Sequence, residues 1–153
     1  MNLVSKPISI LMAEDDPDDR LLTQQAFKEQ RIANDLHFVE DGEELMDYLR
    51  HLGKYAGAAA PPRPGLILLD LNMPRKDGRE ALAEIKSDPH LKRIPVVVLT
   101  TSKADEDILR SYDIGANSFI TKPVSFAGLA NAIKVLGEYW FEIVRLPPIL
   151  QGD

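Results

Sequence analysis

A chain of 153 residues without a single cysteine has the length of one self-stabilising domain, and it excludes a disulfide framework, a thiolate nucleophile and a sulfur zinc site. Its 44% hydrophobic and 27% charged residues are those of a globular protein, not of a disordered one. A net charge of −6 with 18 Lys and Arg leaves no basic stripe to neutralise a phosphate backbone, which speaks against direct nucleic-acid binding.

Residues Met1 to Pro7 carry one Lys and no apolar stretch of signal-peptide length. No segment approaches the roughly 20 apolar residues that span a bilayer, so no membrane partner is expected and the expected compartment is the cytoplasm. The chain divides into an N-terminal extension over 1–7, one domain over 8–144 and a tail over 145–153. The Gly57 to Gly65 segment, rich in Gly, Ala and Pro, marks an extended loop at about 52–65.

Short runs of Ile, Val and Leu alternate with segments of helical spacing. The expected strands are Ile8 to Ala13, Asp35 to Val39, Leu66 to Leu69, Pro95 to Leu99 and Ser118 to Thr121. Asp16-Pro17 reads as N-cap and first-turn proline of a first helix, whose pattern runs through Leu21, Leu22, Gln25, Ala26 and Gln30. A second helix over about Gly42 to His51 turns Leu45, Tyr48 and Leu49 inward. A third over about Gly78 to Ser87 turns in Ala81, Leu82 and Ile85. Ser102 to Asp105 resembles a capping box before a short fourth helix, and a long last helix runs from near Ser125 to about Val144, ended by Pro147-Pro148.

This alternation predicts an α/β domain, a parallel sheet with helices on both faces. Of the two common arrangements of a (βα)5 unit, the flavodoxin-like order 2-1-3-4-5 is the expected one. Sites in such sheets lie at the carboxyl ends of the strands. There the sequence places Glu14-Asp15-Asp16 after strand one, Asp70 after strand three, Thr100 after strand four and Lys122 after strand five.

Carboxylates gathered at two adjacent strand ends repel one another unless a cation neutralises them. Mg2+ suits the oxygen donors of Asp15, Asp70 and the Asn72 carbonyl, and Mn2+ or Ca2+ could take its place. Asp70 is placed to act as a nucleophile toward a phosphoryl group. The charge that builds on the phosphoryl oxygens would be met by the ion, the Lys122 ammonium and the Thr100 hydroxyl with nearby backbone N–H groups.

At these residues the chain resembles the response-regulator receiver family: Leu11-Met-Ala-Glu14-Asp15-Asp16, Leu68-Leu-Asp70-Leu-Asn-Met-Pro74, Val98-Leu-Thr100-Thr-Ser102 and Lys122-Pro123, in this order over roughly residues 8 to 140. The family's acidic pair maps to Glu14 and Asp15 because Arg20 lies five residues beyond the second acid. Glu14 departs from the commoner Asp, and its longer arm is expected to reach the ion through water. The resemblance implies a phosphoaccepting Asp70, a cis Lys122-Pro123 bond, a switch aromatic at Phe119, and signalling through the face of helix four, strand five and helix five. It also implies a kinase-docking surface at Asp18, Asp19, Leu22, Pro123 and Val124, and hydrolysis tuned by Asn72 and Ser102.

Within the family, the loop after helix two, the run Ile94 to Ser102 and the segment Glu138 to Pro147 look like the small regulators paired with bacterial and cyanobacterial phytochromes. The implied partner is thus a phytochrome histidine kinase. With no second domain following, the expected output is a protein contact. Tyr139, Trp140, Phe141, Ile143, Val144 and Leu146 exceed what one helix face can bury, which points to a homodimer through the last helix and tail in preference to a disordered end, with the tail folding back on its own domain as the other alternative.

Plainer readings apply to neighbouring residues. Asp16, Asp18 and Asp19 suit a helix start on capping and dipole grounds alone, Phe119 could be plain core, and His37, His51 and His90 lack metal-ligand spacing. Two rivals remain. A Mg-dependent phosphohydrolase would also use an Asp nucleophile but generally carries a second Asp two residues on, where Asn72 stands. A phosphorylation-independent binding module would not need Asp70, Thr100 and Lys122 together.

Overall fold

A computed structural model describes residues 8–29, 34–100 and 118–121. Five strands, β1 (Ile10–Ala13), β2 (Leu36–Val39), β3 (Leu66–Asp70), β4 (Val96–Thr100) and β5 (Ser118–Thr121), pair in parallel in the order β2-β1-β3-β4-β5. This is the flavodoxin-like order expected from the sequence. Helices α1 (Pro17–Glu29), α2 (Gly42–Arg50) and α3 (Gly78–Ser87) follow the first three strands. The expected fourth and fifth helices and the tail lie outside the described residues.

The central strands are apolar on both faces because both faces are covered. Ile10, Met12, Leu66, Leu68 and Val97 pack with Ala26 and Phe27 of α1. Their neighbours Leu11, Ala13, Ile67, Leu69, Val96 and Val98 point the other way, into a core shared with Leu45, Tyr48 and Leu49 of α2 and Ala81, Leu82 and Ile85 of α3. The period-two alternation of a strand thus puts helices on both sides of one sheet.

Helix α1 is turned relative to the sequence expectation. Its buried residues are Thr23, Ala26 and Phe27, whereas Leu21 is 53% exposed and Gln25 is exposed. Leu22 packs only partly against the sheet, and Gln30 lies outside the described residues. Phe27 is the largest apolar side chain available and sets the face. Thr23 can accompany it because its hydroxyl donates to the Asp19 carbonyl at 2.9 Å, leaving no unsatisfied polar group.

Helix α2 opens on Asp41, whose Oδ1 accepts from the Glu44 N–H at 2.8 Å, and closes on His51 in the left-handed region with φ 57°. The loop that follows is less open than its composition suggests, for it contains two 3-10 turns, Gly53–Tyr55 and Gly57–Ala59. The first is anchored to α2: the Tyr55 ring stands edge-on to Tyr48 with centroids 5.0 Å apart, and its hydroxyl donates to Glu44 at 2.5 Å. Lys54 pairs with the same carboxylate at 3.1 Å.

Burial of Glu44 disfavours its charged form, but hydrogen bonds from Tyr55, the Glu40 backbone and Lys54 outweigh this and hold the carboxyl below its ordinary value of 4.5. A group depressed on folding contributes stability that is complete above the unfolded value and is lost as pH falls through the folded one. Glu44→Gln should therefore be less stable than the parent at neutral pH, with the gap closing as pH drops below 4.5. Urea denaturation across that range measures it; a gap independent of pH would contradict the anchoring role.

Candidate metal centre

The site is built by register. Ala13 pairs with Leu69 across β1 and β3, so the next residues, Glu14 and Asp70, emerge side by side at the carboxyl end of the sheet. The Glu14 N–H continues the ladder on the other side by donating to the Val39 carbonyl at 2.9 Å. Carboxylate oxygens of Glu14, Asp15 and Asp70 then lie within 4.8 Å of one another. Glu14 is wholly buried and Asp70 is 6% exposed, while Asp15 faces solvent.

Local hydrogen bonds orient this cluster. Glu14 Oε2 accepts from the Asp16 N–H at 3.2 Å, and Asp70 Oδ1 accepts from the Asn72 N–H at 3.1 Å. The Arg20 guanidinium donates to the Glu14 carbonyl at 2.7 Å and lies 3.8 Å from Glu40. Arg20 served only to align the acidic pair in sequence; here it fixes the backbone that carries the pair. Asp16 accepts from the Asp18 N–H at 2.9 Å, and its carbonyl accepts from the Arg20 N–H at 3.1 Å, which is the N-cap role expected of it.

The donor set fits a hard divalent ion. All its side-chain donors are carboxylate oxygens, they are close enough to share one ion, and the Asn72 backbone is drawn to Asp70. His37, His51 and His90 have no part in it: His37 lies beside Tyr48 with ring centroids 6.3 Å apart, and His51 and His90 are exposed.

Two glycines let the surrounding loops close. A Cβ on Gly78 would fall 2.4 Å from the Asp70 carbonyl oxygen, and a Cβ on Gly42 would fall 2.0 Å from that of Lys76. Only glycine allows α3 and α2 to start so near the β3–α3 loop. That loop is also held by Asp41, whose Oδ2 accepts from Arg75 at 2.5 Å, and by an ion pair between Lys76 and Glu84. Sequence reasoning missed these contacts, although Gly next to Asp at each helix start was a usable signal.

Thr100 ends β4 and pairs with Thr121, and Asp70 pairs with Leu99, so these positions share one edge of the sheet. Phe119 pairs with Val98. Asp18 is exposed, Asp19 half-buried, and Leu21 presents more apolar surface on α1 than Leu22. Ser102, Lys122, Pro123, Val124 and the tail residues Tyr139, Trp140, Phe141, Ile143, Val144 and Leu146 lie outside the described residues.

The response regulator receiver domain matches residues 10–134. The chain belongs to this family. The receiver is 45% identical to Response regulator Rcp1 of Synechocystis sp. over 141 residues, 92% of this chain and 94% of that one. A crystal structure of a phosphorylated cyanobacterial phytochrome response regulator, RcpA, superposes with a TM-score of 0.82 at 48% identity, covering 93% of this receiver and 99% of RcpA. The Mn2+-bound form of Rcp1 superposes at 0.80 and 45% identity, over 92% and 99% of the two chains. Among the described residues no helix is long and apolar enough to cross a membrane.

Binding to the native state alone stabilises a protein by an amount that grows with the ratio of ligand to Kd, about 2.7 kcal/mol at a hundredfold excess. Millimolar Mg2+ or Mn2+ should therefore raise the melting temperature of the receiver. Asp15→Asn, which relieves repulsion in the apo cluster, should raise the metal-free value and blunt the response. A parent protein insensitive to either ion in calorimetry would contradict the site.

Proposed function

We propose that the receiver accepts a phosphoryl group from a histidine kinase on Asp70, with Mg2+ as the working ion. The observation that carries this reading is the position of Asp70: nearly buried, at the end of a central strand, with its carboxylate among those of Glu14 and Asp15. A carboxylate oxygen of Asp70 attacks the phosphorus of the phosphohistidine, a new O–P bond forms as the N–P bond breaks, and the imidazole leaves.

When bound, the ion neutralises carboxylate and phosphoryl charge. Asp15, Asp70 and the Asn72 carbonyl are assigned as its direct ligands, and Glu14 as a ligand through water. Lys122 and the Thr100 hydroxyl are assigned to the remaining phosphoryl oxygens, and Phe119 to the packing change that follows at the β5 face. Water attack on the acyl phosphate later releases inorganic phosphate and restores Asp70, so the receiver promotes its own phosphorylation and dephosphorylation. The phosphohydrolase reading is disfavoured by family membership and by Asn72 in place of a second Asp.

The donor we assign is a phytochrome histidine kinase, supported by the likeness to RcpA. Docking is assigned to α1 through Asp18, Asp19 and Leu22, with Pro123 and Val124 beyond β5. To these we add Leu21, whose exposed side chain suits an apolar anchor better than the half-buried Leu22. Both partners would meet in the cytoplasm.

Transfer from a labelled phytochrome kinase tests this. Label should move to the parent chain and not to Asp70→Asn. Leu21→Ala should slow transfer roughly tenfold, the effect of losing about 1.4 kcal/mol at an interface, while leaving phosphorylation by acetyl phosphate intact. Equal labelling of Asp70→Asn, or no labelling of the parent by either donor, would refute the assignment.

A further inference from the structure

The β3–α3 loop carries Asn72, and it is fastened to a part of the fold that does not adjoin β3 in the sheet. Asp41 follows β2, and β1 lies between β2 and β3. The contact between Arg75 and Asp41, 2.5 Å long, therefore joins the segments that follow the two neighbours of β1, the strand from whose end Glu14 and Asp15 emerge. A backbone bond runs alongside it, from the Gly42 N–H to the Lys76 carbonyl at 2.9 Å.

The Arg75 side chain is 62% exposed, but three features set this contact apart from an ordinary surface ion pair. Asp41 is 6% exposed and already holds the Glu44 N–H with its other oxygen, so its charge is fixed in place. Arg75 has φ 61°, the left-handed region that a side-chain-bearing residue rarely occupies, so the loop adopts a disfavoured backbone to deliver the guanidinium. The loop is also pinned at both ends, by the Asn72 N–H on Asp70 and the Gly78 N–H on the Leu71 carbonyl, and in its middle Arg75 acts beside the Gly42–Lys76 backbone bond and the Lys76–Glu84 ion pair.

We infer that Asp41 and Arg75 form a clasp that sets the divalent-ion affinity of the site by positioning the loop carrying the Asn72 carbonyl. This rests on the reading of Glu14, Asp15 and Asp70 as the ion site. Neither clasp residue touches the ion; both are positioning residues. Groups that orient metal ligands typically change affinity by ten- to a hundredfold when removed.

The test is Mn2+ binding to the full chain by calorimetry. Arg75→Ala and Asp41→Asn, the latter keeping a cap acceptor for α2, should each weaken binding by about tenfold. The double variant should be no weaker than either single one, because the two act as one unit. Arg75→Lys, which keeps the charge pair, should stay within about threefold of the parent, while Arg75→Gly, which relaxes the backbone but loses the guanidinium, should bind as poorly as Arg75→Ala. Affinities unchanged within about twofold, additive losses in the double variant, or parent-like binding by Arg75→Gly would overturn the clasp. Asp15→Asn is the control: parent-like binding by that variant would refute the ion site itself, a failure distinct from that of the clasp.

Discussion

Like charges forced together by backbone register are the constraint on which the rest of this receiver depends. Parallel pairing of β1 with β3 leaves Glu14 and Asp70 no choice but to emerge as neighbours, and Asp15 follows at once. The register is fixed by strands whose side chains are buried on both faces, so a one-residue slip would exchange the residues packed against α1 with those packed against α2 and α3. The core thus stores the cost of the acidic cluster, and a divalent ion is the natural counterweight to it.

The loops around the cluster are shaped by contact as much as by sequence. Gly42 and Gly78 bring two helix starts against the β3–α3 loop, and each of those helices is capped by the Asp just before it. Asp77 does so in a full capping box with Glu80. The caps and the tight approach cooperate: a helix whose first turn is fixed can serve as a wall against which a functional loop is held. Arg20 performs the same service for β1 by gripping the Glu14 carbonyl.

The strands, their order and the cluster of Glu14, Asp15 and Asp70 were legible because doubly buried strands read as unbroken apolar runs and because polar residues at their ends interrupt them abruptly. The buried faces of α2 and α3 were equally plain from Leu45, Leu49, Ala81, Leu82 and Ile85. The face of α1 was not. Its apolar residues are few, and which of Leu21, Leu22 and Phe27 turns inward is decided by the fit of Phe27 against the sheet and by a local bond that makes Thr23 buriable. The contact of Arg75 with Asp41 was illegible for another reason: the two lie 34 positions apart on loops whose meeting follows only from strand order and the backbone turn at Arg75.

The proposed phosphoryl chemistry depends on one divalent ion held between Asp15 and Asp70, with Glu14 behind it. Crystals soaked in Mn2+ and measured at its absorption edge test this directly, since the anomalous map locates the ion independently of any chemical assumption. One strong peak is expected, bonded to Asp15, Asp70 and the Asn72 carbonyl, with water between it and Glu14. A map without a peak there, or with its peak bonded to other residues, would contradict it.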